Sequence, residues 1–378
     1  MYHFFHQEWF KKWGIRLLLV IALAVRLGAL VATVAFGLEP SPPGDPHDYR
    51  LLGLNILEGR YSMDPTSPYT HDLLRTPGYP IFLALTFLVD HRGYVAILLQ
   101  IISAIVVGWW FYRILIQRVS VWLALLFTAI WLFDPMGLFT SLQTWSESMY
   151  VFCLSYVLFS FLHQERPQRS WWQVIPLGLV YGCAVSIRPH AILWLPAFFI
   201  FAYLNRFSWR QVVLFCFPAG LFVVVWMMRG FLLVGQPVLS STTIYNKIFF
   251  LGAQQSAQAH AFTQRVRAEK DRSILTVNGR SSIRPWAYTA EAYPELQAED
   301  RRLMQEIGMG GYLRSQLMCA PQYWYPYWAR VGDLGDRLSQ KFFRPLQPVL
   351  RVLDAFVLGM YGLCLVLLLV RTDRSTRL

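Results

Sequence analysis

Long apolar runs broken by short polar ones dominate this chain. Runs of roughly spanning length fall at 17–36, 94–112, 119–133, 147–162, 172–187, 189–204, 211–230 and 347–370. An α-helix needs about 20 apolar residues to cross a bilayer core, so several of these eight would borrow flanking residues. A further run, Gly78 to Val89, is shorter still and follows R-T-P-G-Y-P, which predicts an interfacial or re-entrant helix and not a span. The first run follows Lys11, Lys12 and Arg16 as a signal peptide would. It exceeds an apolar core of ~7–15 residues, however, and predicts an uncleaved first helix.

Charge tests the arrangement. With eight spans and 78–89 left out, Lys11/Lys12/Arg16, Arg113/Arg118, Arg166/Arg169, Arg206/Arg210 and Arg371/Arg374/Arg377 share one side with both termini. Promoting 78–89 to a span would flip every later loop and break this positive-inside pattern. The opposite side then receives the loop 37–93, the segment 133–147, the turn Arg188-Pro189-His190 and a polar region at 231–346. The predicted organisation is a transmembrane module over 1–230, an outer subdomain over 231–346, and a last helix with a tail over 347–378. Within the subdomain, 293–316 has helical periodicity with i,i+4 charge pairs. The aromatic run Tyr323 to Trp328 suits a membrane–water interface. Residues 1–10 and 372–378 read as poorly ordered, and no internal repeat is visible.

Composition agrees. The 378 residues are 55% hydrophobic and only 15% charged, with a mean hydropathy of +0.38, whereas a soluble domain carries about a quarter charged residues. The net charge of +12 is scattered between apolar runs, which reads as topology and argues against nucleic acid as a partner. Cys153, Cys183, Cys216 and Cys364 lie in apolar runs and only Cys319 in a polar one. With no C-x-x-C, neither a disulfide framework nor a zinc site is implied.

The polar residues that could do chemistry converge on one side: Asp45, Asp48, Arg75, Glu147, Arg188 and His190, with Arg229 and Lys247 near the end of the seventh run. Each also has a structural reading. Asp45 would cap a helix over Tyr49–Leu57, a job Asp48 could do instead; Arg75 would anchor to headgroups; Glu147 would answer a helix dipole; Arg188 would stop a span. His47, His71 and His190 have no ligand spacing. Arg26 falls near the centre of the first run, where charge is costly, and should face protein.

The first outer loop carries Asp45-x-x-x-Tyr49, then Gly53, Asn55 and Gly59, followed by Arg75-Thr76-Pro77-Gly78-Tyr79-Pro80. This resembles the pattern D-x-x-x-Y-x-x-x-A-x-N-x-x-x-G and the R-x-P-x-Y-P of bacterial relatives of the protein O-mannosyltransferases and the lipid A aminoarabinose transferases. Ser146-Glu147, Arg188-Pro189 and the strip Gly235 to Ser241 match further family features in order, over about residues 15–255. Gly53 stands where the family has Ala, and the chain has one span after the outer subdomain where relatives have several.

The resemblance implies a GT-C fold: an all-α polytopic bundle of about eight spans, with a juxtamembrane helix and a small, mostly helical extracytoplasmic subdomain. It implies an inverting transfer of sugar from a polyprenyl-phosphate donor to a lipid, glycan or protein acceptor, outside a bacterial plasma membrane and among membrane lipids. Asp45 would be the general base. Arg75, Arg188 and Lys247 would hold donor phosphate, and Asp48, Tyr49, Glu147, Tyr79 and His190 would shape the sugar or acceptor site. Some relatives use a divalent cation (Mg or Mn) and others none. A transporter or flippase of lipid-linked sugar, or a non-catalytic binder, is the rival reading.

Overall fold

The computed structural model describes residues 13–324 apart from 38–39, 43, 163–170, 205, 253–255 and 278–279. The last apolar run, the side chains of the aromatic run at 323–328 and the two termini lie outside the described residues.

Helices account for most of the described chain: α1 (Ile15–Ala35), α2 (Asp45–Leu57), α3 (Gly78–Phe87), α4 (Tyr94–Leu115), α5 (Val121–Leu132), α6 (Pro135–Ser141), α7 (Ser146–Leu162), α8 (Trp171–Ile187), α9 (Leu195–Leu204) and α10 (Trp209–Val234). Then come α11 (Thr242–Asn246), α12 (Ala257–Glu269), a ribbon of β1 (Arg272–Val277) and β2 (Arg280–Arg284), and α13 (Tyr293–Trp324). Among the described helices α1, α4 and α10 are long and apolar enough to cross a membrane.

Burial is inverted as lipid demands. On α1 only Ile15, Ala22 and Arg26 are buried, one stripe along the helix, while Val20, Ile21 and Val25 are exposed. Arg26 therefore faces protein, as the cost of an intramembrane charge requires. On α10, Phe215, Ala219 and Gly230 are buried, and Phe217, Val224 and Val225 point outward. This is a membrane protein.

Small residues set the helix contacts, because helices in lipid associate by close packing. A Cβ on Gly178 of α8 would stand 2.7 Å from Phe215 O of α10. Around that contact Phe161, Tyr181, Phe198 and Phe215 form an aromatic core. The short run at 78–89 is a helix, and its Leu83 and Phe87 pack on Gly53 of α2, where a Cβ would meet both at 3.0 Å.

Beyond α10, Ile248, Phe249, Phe262, Val266 and Leu296 build a smaller core. The helix expected over 293–316 runs from Tyr293 to Trp324, with a break at Gly308, whose φ of +64 and ψ of 173 suit glycine alone. The antiparallel ribbon pairs Val277 with Arg280 and was not anticipated. Its signal was Asn278-Gly279 between the strands, the favoured two-residue hairpin dipeptide.

Candidate functional site

Helix α2 begins at Asp45, after Gly44 in a positive-φ conformation (φ 107). Asp45 and Asp48 both lie in its first turn, and neither caps it, since no side-chain bond closes the N-terminus. Three residues apart, they share a face and meet Arg75 instead. Arg75 Nη2 donates to Asp45 Oδ1 at 2.6 Å and to Asp48 Oδ2 at 3.0 Å.

The segment presenting Arg75 is tied along its backbone. Leu73 N donates to Tyr288 O (2.8 Å) and Ser241 N to Leu73 O (3.0 Å). Ser240 Oγ and Thr242 Oγ1 both donate to Leu74 O, at 2.6 and 3.0 Å. Arg75 N donates to Asp72 Oδ1 (2.7 Å), and Tyr61 OH to Arg75 O (3.1 Å). Arg229, near the end of α10, donates to Asp72 O at 2.9 Å and stacks on Tyr61 and Trp226. A loop with this many backbone groups engaged holds one geometry. Here it sets the Arg75 guanidinium between the rings of Tyr49 and Tyr288, 4.8 and 5.3 Å from their centroids, a favourable cation–π arrangement.

Arg188 arrives from α8. Pro189 drives it out of helical conformation, to φ −142 and ψ 111. Its Nε donates to Ser146 Oγ at 3.0 Å, and its guanidinium pairs with Glu147. Ser146 in turn donates to Tyr49 OH at 3.2 Å, so one chain of contacts links the two arginines. Gly78 makes the approach feasible. A Cβ there would stand 2.5 Å from Ser186 C and 2.6 Å from Ile187 N, so the α3 start presses on the α8 end beside Arg188.

Between these elements lies a cavity of about 270 Å³, walled by Asp45, Tyr49, Arg75, Arg188, His190 and Tyr245 among others. One guanidinium cannot neutralise two carboxylates, and the acids divide by burial. The Asp45 side chain is 39% exposed and Asp48 only 5%. Burial pushes Asp48 up to about 7, with the charges of Asp45 and Asp72 pushing the same way and Arg75 pulling against them. Burial likewise pushes Asp72 up to about 6 despite its bond from Arg75 N. For Arg75 itself burial pulls down, but Asp45, Tyr49, Tyr288 and Asp48 outweigh it and hold the guanidinium well above its ordinary value.

Asp45, Tyr49, Arg75, Arg188 and His190 therefore meet at one cavity, with Asp48 behind Arg75 and Glu147 behind Arg188. Besides Asp48 and Glu147, two more expected residues are not on its wall. Tyr79 is fully buried and stands behind Tyr49, edge-on at 5.0 Å, its OH donating to Gln100 Oε1 at 2.6 Å. Lys247 is a correction: its Nζ pairs with Asp300 at 2.9 Å, away from the cavity walls, because the π-helical turn at Lys247–Gly252 aims it at α13. Tyr288, Tyr245, Thr242 and Asp72 escaped the sequence reading, since they are ordinary polar residues until the chain returns from α10 to the 71–76 segment.

Among the described residues no group of three or more His, Cys, Asp and Glu is placed to hold a metal ion. The positive charge between Asp45 and Asp48 is the Arg75 guanidinium. No family model matches the chain, and no curated protein or solved structure matches it either.

Proposed function

We propose that this protein is a membrane glycosyltransferase of the GT-C type, moving a sugar from a polyprenyl-phosphate donor to an acceptor hydroxyl outside a bacterial plasma membrane. The observation that carries the reading is the half-exposed Asp45 carboxylate on the wall of a cavity that two arginines from distant segments also line. Arginine forks suit phosphate oxygens, and a carboxylate in their company suits proton abstraction from a hydroxyl.

The roles follow. Asp45 takes the proton of the acceptor hydroxyl as its oxygen attacks the anomeric carbon. The bond from that carbon to phosphate oxygen breaks, and polyprenyl phosphate leaves against Arg75 and Arg188. Tyr49, Tyr245 and Tyr288 offer rings for the sugar. The eight-span topology belongs to the same proposal. Arg16 opens α1, Arg113 and Arg118 fall at the α4–α5 turn, and Arg206 and Arg210 at the α9–α10 turn; the positive-inside bias would put the cytoplasm at those helix ends. It would also put both termini there, and 231–346 outside.

The test incubates purified protein with radiolabelled polyprenyl-phosphate sugars and a bacterial lipid extract. Transfer that falls about 10²–10⁴-fold in Asp45→Asn, with donor binding retained, is the expected outcome. Donor binding without turnover in the wild type would point to a carrier and defeat the enzyme reading.

A further inference from the structure

A second cavity system lies outside the site described above. Helices α5 and α7 both pack on α4 and leave a cleft between them. Close by, α4 and α5 touch at Gly108, where a Cβ would stand 2.5 Å from Leu132 Cδ2. Two chambers adjoin at Val107 and Trp131, which line both.

The larger chamber, about 220 Å³, is walled by Trp110, Phe111, Ile114, Leu158 and Phe159, with Ser155 the one hydroxyl. Each of these side chains is half-buried, as expected of a groove open along the helices. The smaller chamber, about 80 Å³, holds Arg26, Asp134, Thr140 and Glu147. Arg26 is 1% exposed. Its Nη1 donates to Ala22 O at 3.4 Å, and among the described residues its buried Nε has no hydrogen-bond partner. A buried guanidinium N–H left without an acceptor is costly, and the chamber is where an acceptor fits.

Charge narrows the occupant. One guanidinium and two carboxylates face a small space, Asp134 also accepting from Gly137 N at 2.9 Å and Glu147 also pairing with Arg188, so a headgroup with phosphate alone would still meet two acids. A headgroup carrying both a phosphate and an N–H-bearing ammonium complements all three. The apolar chamber alongside calls for a hydrocarbon chain. We infer that this cleft binds an aminophospholipid, its phosphate on Arg26, its ammonium toward Asp134 and Glu147, and one acyl chain along Trp110 and Leu158. Glu147 is the partition between the two sites, because it also pairs with Arg188. The lipid site does not depend on the transfer reaction.

The test uses the full chain in phosphatidylcholine nanodiscs doped with phosphatidylethanolamine, phosphatidylglycerol or phosphatidylcholine carrying a diazirine on one acyl chain. After irradiation, labelled peptides are mapped by mass spectrometry. The ethanolamine lipid should label 110–115 and 155–162 well above the outward face of α10, and well above the other two lipids. Arg26→Gln, which removes a charge-assisted bond, should lower that labelling about tenfold. Ser155→Phe, which fills the apolar chamber without touching a charge, should lower it as well, and it serves alone if the Arg26 variant does not fold. Equal labelling by all three headgroups, or labelling that survives both substitutions, would overturn the inference.

Discussion

Asp48→Asn isolates the electrostatics of the carboxylate pair. Asp48 is nearly buried, and its carboxyl is pushed up to about 7 from an ordinary value near ~3.9. A raised carboxylate keeps its proton in the folded chain while the unfolded chain has released it. The folded state then binds more protons, and stability falls as pH rises toward the folded value. From about pH 6 to about pH 8 the unfolded Asp is already ionised and the folded one ionises, so this group alone removes about 1.4 kcal/mol. Asp72, raised to about 6, acts mostly lower in the range, which leaves this window largely to Asp48. The asparagine has no proton to lose. Its amide oxygen still accepts from Arg75, so it should change stability little at about pH 6 and remove the share of the pH dependence that belongs to Asp48. Chemical unfolding in detergent at several pH values, followed by tryptophan fluorescence, measures both. A wild type that grows more stable between pH 6 and pH 8, or a variant with the wild-type slope, would refute the assignment.

Other outcomes follow from the same geometry. Gly78→Ala drives a methyl into the α8 backbone at Ser186 and Ile187, so it should cost at least the ~1–3 kcal/mol of overpacking and weaken donor binding by parting Arg75 from Arg188; a melting curve beside a binding titration checks it. Arg75→Met leaves two acids facing a neutral side chain and should destabilise by ~3–5 kcal/mol, with Arg75→Met/Asp48→Asn partly restored in the same unfolding assay. Glu147→Gln frees Arg188 of its ion-pair partner and should shift donor affinity while leaving the fold intact, read by titration with polyprenyl phosphate. Lys247→Ala, at a pair whose lysine is 18% exposed, should cost about 1 kcal/mol and leave donor binding unchanged.

How the site is built was partly legible in the residues. Asp45, Arg75 and Arg188 stand out because each is a charge beside an apolar run, and in such a chain a charge at a helix end has few purposes. The inward stripe of α1 was legible for the same reason. Lys247 satisfied that rule and still misled, since its direction depends on one turn of irregular helix. Asp45 as a helix cap also failed. The turn it begins is closed without its side chain, and a guanidinium 30 residues away in sequence binds it instead.

The amino-acid order by itself determined a helical membrane protein and the short helix after Arg75. Those follow from local periodicity and from transfer energies that each residue carries wherever it sits. Only the tertiary structure decided that Tyr288 returns to stack on Arg75, that Gly78 lets α3 touch α8, and that Asp48 is buried while Asp45 stays open to the cavity. These depend on which distant segments meet, and no stretch of sequence encodes that alone.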